Sequence, residues 1–494
     1  MRGDGGADPL ALARPDLLRD GAFVYGLWVE PRGTTFPVLD PASGRLIRQV
    51  GDGEAELATD AVDAAVRAFE TWRETPGRQR ADHLRAWFEA VVRNAEDLAR
   101  IISREQGKPL SEARAEISYG AAYLEWFAEE ARRIHGDVIP SPAAGRRMKA
   151  LVEPVGVCAV VTPWNFPLAM IARKVAPALA AGCTVVAKPA EDTPLVALAL
   201  AALAEEAGLP PGVVNLVPAS RDRAAEVVDA WLDDPRVRKL SFTGSTAVGK
   251  HLAARAAATL KRVSLELGGD APVLVFDDAD LDLAVEGVMK AKFRNAGQAC
   301  IAANRIYVQN GVFEAFADRL SAASAALRVG PASEGGADIG PLINARAVAK
   351  VADLVAEAVR GGARVRVGGS PHPRGGGFYP PTVLTDVPAG ARLSREEIFG
   401  PVAVLNRFSG EDAAVTLANA TPYGLAAYAF TADPRRIARL EARLEAGMVG
   451  INEGAISTEV APFGGIKASG YGREGSRHGL SDYQHLKYVC EGGL

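Results

Sequence analysis

Phe293 to Cys300, FRNAGQAC, delivers one cysteine behind a turn built from the small residues Ala296, Gly297 and Ala299. A thiolate is a strong nucleophile near neutral pH and needs its electrophile close to the backbone, which a small, flexible Gly-Gln-Ala turn permits. Taken alone, a lone cysteine favours a buried structural thiol, because free cysteine is among the most buried residue types. Two stretches upstream favour chemistry. LELGGDAP sets Glu266 among Val263, Leu265 and Leu267, surroundings that suit a base better than a solvated surface acid. PWNFP offers the Asn165 amide as a donor to a developing oxyanion.

A further candidate is SFTGSTAVGKH, Ser241 to His251. A strand ending at Phe242, a turn at Gly244 and Ser245, and a helix beyond would aim backbone N–H groups and a helix dipole at an anion. GSTAVGKH nearly matches a Walker A loop, but His251 stands where a magnesium-binding Ser or Thr is required, which argues against an ATPase or GTPase. No GxGxxG follows a strand either.

These residues need a scaffold. A chain of 494 residues, 48% hydrophobic and 23% charged, is globular and too long for a single core, so two or three packed units are expected. From Leu151 onward, VGVCAVVTP, CTVVAKP, VVNLVP and KLSFTG are short apolar runs separated by helical patterns such as Pro194 to Ala207, the texture of a parallel sheet with crossover helices. Before them, Leu57 to Trp72, Leu84 to Val92 and Ser111 to Ile134 carry helical stripes that read as core, and Phe36 to Val50 reads as an extended pair around a turn. The stretch from Ala347 is a helix entering a strand.

Composition excludes several partners. A net charge of −4 with no basic block argues against nucleic acid and anionic membrane surfaces and for a small-molecule ligand. Cys158, Cys183, Cys300 and Cys490 are far apart with no CxxC pair, and the six histidines show no HExxH, so no metal site is expected and a reducing compartment is. Asp4, Asp8, Asp16 and Asp20 interrupt the first twenty residues and no run approaches a membrane span, so the sequence predicts a soluble, cytoplasmic protein. Cys158 and Cys183 read as packed core thiols.

PWNFP, KPAED, FTGST, LELGG, GQAC and EEIFGP occur in the order shown by aldehyde dehydrogenases, and the chain resembles that superfamily over roughly Thr35 to Cys490. FRNAGQAC, NEGAIS, EVAPFGGIKASGYGREGS and DYQHLKYVC are most similar to its succinate-semialdehyde dehydrogenase branch. The resemblance implies an α/β fold with a Rossmann-type cofactor domain (1–133 and 153–267), an α/β catalytic domain (268–450) and a small β oligomerisation arm (134–152 and 473–494) that joins copies into a homodimer or homotetramer. It further implies Cys300 as nucleophile, Glu266 as the base that activates water on a thioester, and Asn165 with the Cys300 backbone N–H as oxyanion donors.

For the cofactor, NAD with NADP possible, the resemblance places Trp164, Asn165 and Leu267 at the nicotinamide and Lys188 with Glu191 at the adenosine ribose. Gly244 and Ser245 fall at the pyrophosphate, and Glu397 with Phe399 at the nicotinamide ribose and ring. Glu397, beside Arg395 and Glu396, reads on its own as part of an exposed charged face. Glu191 suggests preference for NAD, since a carboxylate accepts from ribose hydroxyls and repels a 2′-phosphate, while Lys188 pulls the other way. Arg173, Arg294 and Ser457 would hold the far carboxylate of succinate semialdehyde. Glutarate semialdehyde, a broader aldehyde range, CoA-acylating chemistry and a non-catalytic relative are the alternatives. Where relatives often carry a second cysteine two residues after the nucleophile, this chain has Ala302.

Overall fold

The computed structural model describes residues 10–31 and 33–493; Asp4 and Asp8 of the acidic opening lie outside the described residues. Among these residues four sheets form. The first runs, in spatial order, through Gly470–Tyr471, Arg262–Glu266, Val237–Thr243, Val157–Val161, Thr184–Lys188, Val214–Leu216, Ala22–Val24 and Leu27–Val29. Its five middle strands are parallel, so their C-terminal ends share one edge. The apolar runs VCAVV and TVVAK are almost wholly buried, as strands covered on both faces must be. Cys158 and Cys183 are fully buried beside them.

A second, seven-stranded sheet has Ala271–Val275 and Ala303–Gln309 near its centre and carries its own hydrophobic core. The chain passes from the first sheet to the second through Leu267, Gly268, Gly269 and Asp270, so the expected division at 267/268 lies within this crossing. A three-stranded antiparallel sheet joins Asp137–Ile139, Arg146–Pro154 and Gln484–Gly492. The short strand Gly470–Tyr471, which the sequence did not flag, returns to pair with Leu265 and Glu266 on the first sheet.

The helix Pro167–Ala181 is buried along its whole length and carries Arg173. Its first N–H groups need acceptors. Glu116 supplies one carboxylate oxygen to both Leu168 N (3.0 Å) and Ala169 N (3.3 Å). The other oxygen pairs with Lys108 at 2.6 Å, and the same ammonium donates to the Asn165 carbonyl at 2.8 Å. Both members of this pair have no exposed side-chain surface, so PWNFP is fixed from below by a desolvated, charge-assisted network.

Candidate active site

Cys300 sits where two cavities meet. One, of about 460 Å³, is lined by Phe166, Met170, Arg173, Arg294 and Ser457 among others, and the other, of about 290 Å³, by Trp164, Asn165, Glu266, Leu267, Glu397 and Phe399. Cys300 and Met170 line both. A thiol placed so can touch a small molecule from one side and a flat cofactor from the other.

The turn ahead of the thiol is not the flexible one expected. Asn295, Ala296 and Gly297 are consecutively left-handed (φ 52°, 54° and 73°), at a cost of ~1–3 kcal/mol for each non-glycine residue. Distant groups hold it: Glu112 accepts from Asn295 N at 2.9 and 3.1 Å, Asn165 Nδ2 donates to the Gln298 carbonyl at 3.0 Å, and Gln298 Oε1 accepts from Ile343 N at 2.9 Å. Beyond the thiol, Tyr428 Oη donates to the Ile301 carbonyl at 2.9 Å. A Cβ on Gly297 would stand 2.2 Å from the Gly400 carbonyl oxygen, so the glycine serves close packing together with its positive φ.

Glu266 ends its strand with both carboxylate oxygens buried and without a hydrogen-bond partner among the described residues. Burial pushes its pKa up to about 7, opposed by Arg173 and reinforced by Glu474. The Cys300 thiol is raised well above its ordinary value, first by burial and then by Glu266. The Glu266 carboxylate raises the thiol, while the thiol favours the charged carboxylate, so of the two Glu266 is the group that ionises near neutral pH. A Cβ on Gly269 would lie 2.2 Å from the Cys300 carbonyl oxygen, so this glycine lets the two segments pack closely.

Other expected residues have further partners. Gly244 N donates to the Glu266 carbonyl at 3.1 Å, and Gly244 and Ser245 both line the smaller cavity. Ser245 is the N-cap of Thr246–Ala257, its hydroxyl accepting from Val248 N. Arg173 is not a free guanidinium: it is ion-paired with Glu474, which also pairs with Lys174, and stacks 4.0 Å over the Phe463 ring. Only its Nη2 lacks a partner. Arg294 differs. No described residue accepts a hydrogen bond from its guanidinium, which lies 4.8 Å from the Phe166 ring centre and faces the larger cavity with Ser457.

Glu397 turns inward and accepts from Gly269 N at 3.1 Å, burial raising it to about 7, while neighbouring Glu396 pairs outward with Arg392. Trp164 and Phe399 meet edge to face at 5.4 Å. Lys188 and Glu191 lie further along the same sheet edge, 3.7 Å apart, with Arg221 on the other side of Glu191 at 3.2 Å. Sequence reasoning missed Glu474, Glu112, Gln298 and Arg221. Glu474 lies in a quoted motif, yet its partner Arg173 is 301 positions away.

The smaller cavity suits a nicotinamide dinucleotide. It lies along the C-terminal edge of parallel strands, where such ligands bind, and is lined by apolar Leu267, Trp164 and Phe399 around the unpartnered buried oxygens of Asn165, Thr243 and Glu266. A dinucleotide edge facing a thiol defines a class of site, and the comparisons identify the family. The aldehyde dehydrogenase family matches residues 28–489. The chain is 53% identical to the 3-sulfolactaldehyde dehydrogenase of Pseudomonas putida over 98% of this chain and 99% of that one. It is 52% identical to the glutarate-semialdehyde dehydrogenase of Pseudomonas aeruginosa over 97% and 99%. A crystal structure of succinate-semialdehyde dehydrogenase from Burkholderia pseudomallei superposes with a TM-score of 0.96 at 51% identity, covering 98% of this chain and 100% of that one. The chain belongs to the aldehyde dehydrogenase family.

All four cysteines are free, and with Ala302 two places on, Cys300 has no local partner. Mild peroxide should add oxygen to Cys300 along the sulfenic route. Peptide mass mapping that instead found Cys300 in an intrachain disulfide would contradict this.

Proposed function

We propose that this protein oxidises succinate semialdehyde to succinate with NAD, or less readily NADP. The observation that carries the reading is the position of Cys300 between a dinucleotide-shaped cavity and a second cavity bearing an unpaired arginine. Glu266 takes the thiol proton, the sulfur attacks the aldehyde carbon, and the oxyanion meets the Cys300 backbone N–H and the Asn165 amide N–H not engaged by Gln298. The bound nicotinamide supplies the hydride acceptor. A thioester then remains on Cys300, and Glu266, once deprotonated again, draws a proton from the water that hydrolyses it. A base so placed favours hydrolysis over transfer to CoA, and NADH formation that required CoA would show the reverse.

At the far end, Arg294 and Ser457 receive the substrate's anion, and Arg173 contributes its unpartnered Nη2. The relatives named above act on short aldehydes ending in a carboxylate or sulfonate, the same chemical class. Glutarate semialdehyde is the second reading, favoured by a cavity of about 460 Å³, which leaves room for another methylene. A methylene changes discrimination by only ~1–3 kcal/mol.

Each charge-assisted hydrogen bond contributes about 1.5–3 kcal/mol. Arg294→Ala should therefore cut kcat/KM for succinate semialdehyde by ~10- to 100-fold and for butanal far less. Equal rates on butanal and the semialdehydes in the wild type, or an unchanged preference in Arg294→Ala, would defeat the substrate assignment. For assembly, Val138 (83% exposed), Leu486 (70%) and Tyr488 (59%) on the three-stranded sheet favour covering by a second copy in a homodimer or homotetramer. Among the described residues no helix is long and apolar enough to cross a membrane. The four free thiols favour a reducing, cytoplasmic setting.

A further inference from the structure

The five parallel strands of the first sheet place their chemistry in order along one edge. Glu266 ends the first of them, Gly244 and Ser245 follow the second, Trp164 and Asn165 the third, Lys188 and Glu191 the fourth, and Arg221 lies on the loop after the fifth, Val214–Leu216. Given the dinucleotide reading above, on which this inference rests, a nicotinamide at Cys300 sends the adenosine end toward Lys188, Glu191 and Arg221.

There the two carboxylate oxygens of Glu191 are divided between two cations. Oε1 faces Arg221 Nη2 at 3.2 Å, and Oε2 faces Lys188 Nζ at 3.7 Å. The two cations differ. Lys188 is buried and also donates to the Pro189 carbonyl at 3.1 Å, whereas the Arg221 side chain is 57% exposed and, among the described residues, Glu191 is the one carboxylate within ion-pair distance of it. Exposed pairs of this kind are weak, so Arg221 is free to leave Glu191 when a stronger anion arrives. Guanidinium and phosphate form bidentate, charge-assisted pairs that an isolated lysine cannot match.

We propose that Arg221 is a cofactor-discriminating residue: Glu191 serves the ribose diol of NAD, and Arg221, released from Glu191, holds the 2′-phosphate of NADP together with Lys188. Glu191 then acts as a brake on NADP by repulsion, and Arg221 partly lifts it. The two side chains set the cofactor ratio in opposite directions.

The test uses the whole protein and two arms. In turnover, Arg221→Ala should lower the NADP:NAD ratio of kcat/KM by tenfold or more, Arg221→Lys should recover part of it, and Glu191→Ser should raise it. In calorimetry without aldehyde, Arg221→Ala should weaken 2′,5′-ADP relative to 5′-AMP by tenfold or more. A change below threefold in the binding ratio overturns the proposal, as does equal weakening of both nucleotides. Because the second arm needs no catalysis, a wild type that oxidised no aldehyde would count against the reaction proposed above and leave the assignment of Arg221 to be decided by nucleotide binding alone.

Discussion

Glu266→Gln should give a burst of NADH approaching one per active site, followed by a steady rate reduced by a factor on the order of 10²–10⁴. Cys300→Ala should give neither burst nor turnover while still binding the dinucleotide. The two variants separate the two chemical halves: the thiol is needed to form the acyl-enzyme, the carboxylate to break it. The burst itself should be slower than in the wild type, because the raised thiol has lost its neighbouring proton acceptor. It should quicken as pH rises, when solvent can take that proton. Wild-type steady turnover should climb through about pH 7, where Glu266 loses its proton, and Glu266→Gln should lack that limb.

Stability moves the opposite way with pH. A carboxyl raised by burial binds its proton more tightly in the folded chain than in the unfolded one. Its contribution is complete below the ordinary carboxyl value and is lost as pH rises through about 7. The loss amounts to something on the order of 3 kcal/mol. Glu266→Gln should therefore flatten the fall in Tm between about pH 4.5 and 7. A stopped-flow trace without a burst, with steady turnover retained, would remove Glu266 from the deacylation step.

What the sequence made legible is what lies close along the chain. Cys300 could be singled out once LELGGDAP and PWNFP were read beside its octapeptide, Glu266 from its apolar neighbours, and the crossover texture from runs such as VCAVV. What stayed hidden depends on long-range pairing. Whether Arg173 meets a substrate or an ion-pair partner is decided by Glu474, whose return to the first sheet depends on the short strand Gly470–Tyr471 that no periodicity announces. The turn before Cys300 reads as flexible from its small residues. Its rigidity comes from Glu112, Asn165 and Ile343, contributed by three other parts of the fold.

Asn165→Ala should lower kcat by ~10²–10³-fold, the usual consequence of removing one donor from an oxyanion site. The residue has two duties. One amide N–H anchors the Gln298 carbonyl, while the backbone carbonyl of Asn165 accepts from Lys108 and from Asn295 Nδ2 at 2.9 Å. A loss of activity could then reflect a loosened turn as readily as a lost donor, and the two differ in what they do to the thiol. Iodoacetamide alkylates a thiolate without building an oxyanion, so its rate reports the placement and ionisation of Cys300 alone. If Asn165 acts on the developing oxyanion, the variant should alkylate within about threefold of wild type while aldehyde turnover collapses. A parallel drop in both rates would assign Asn165 to holding the turn. Lys108→Met offers the contrasting case, since it removes the support beneath Asn165 and leaves the amide in place: it should change alkylation and turnover together, because the pinned backbone at Asn295 loses its register when the Asn165 carbonyl is free to move.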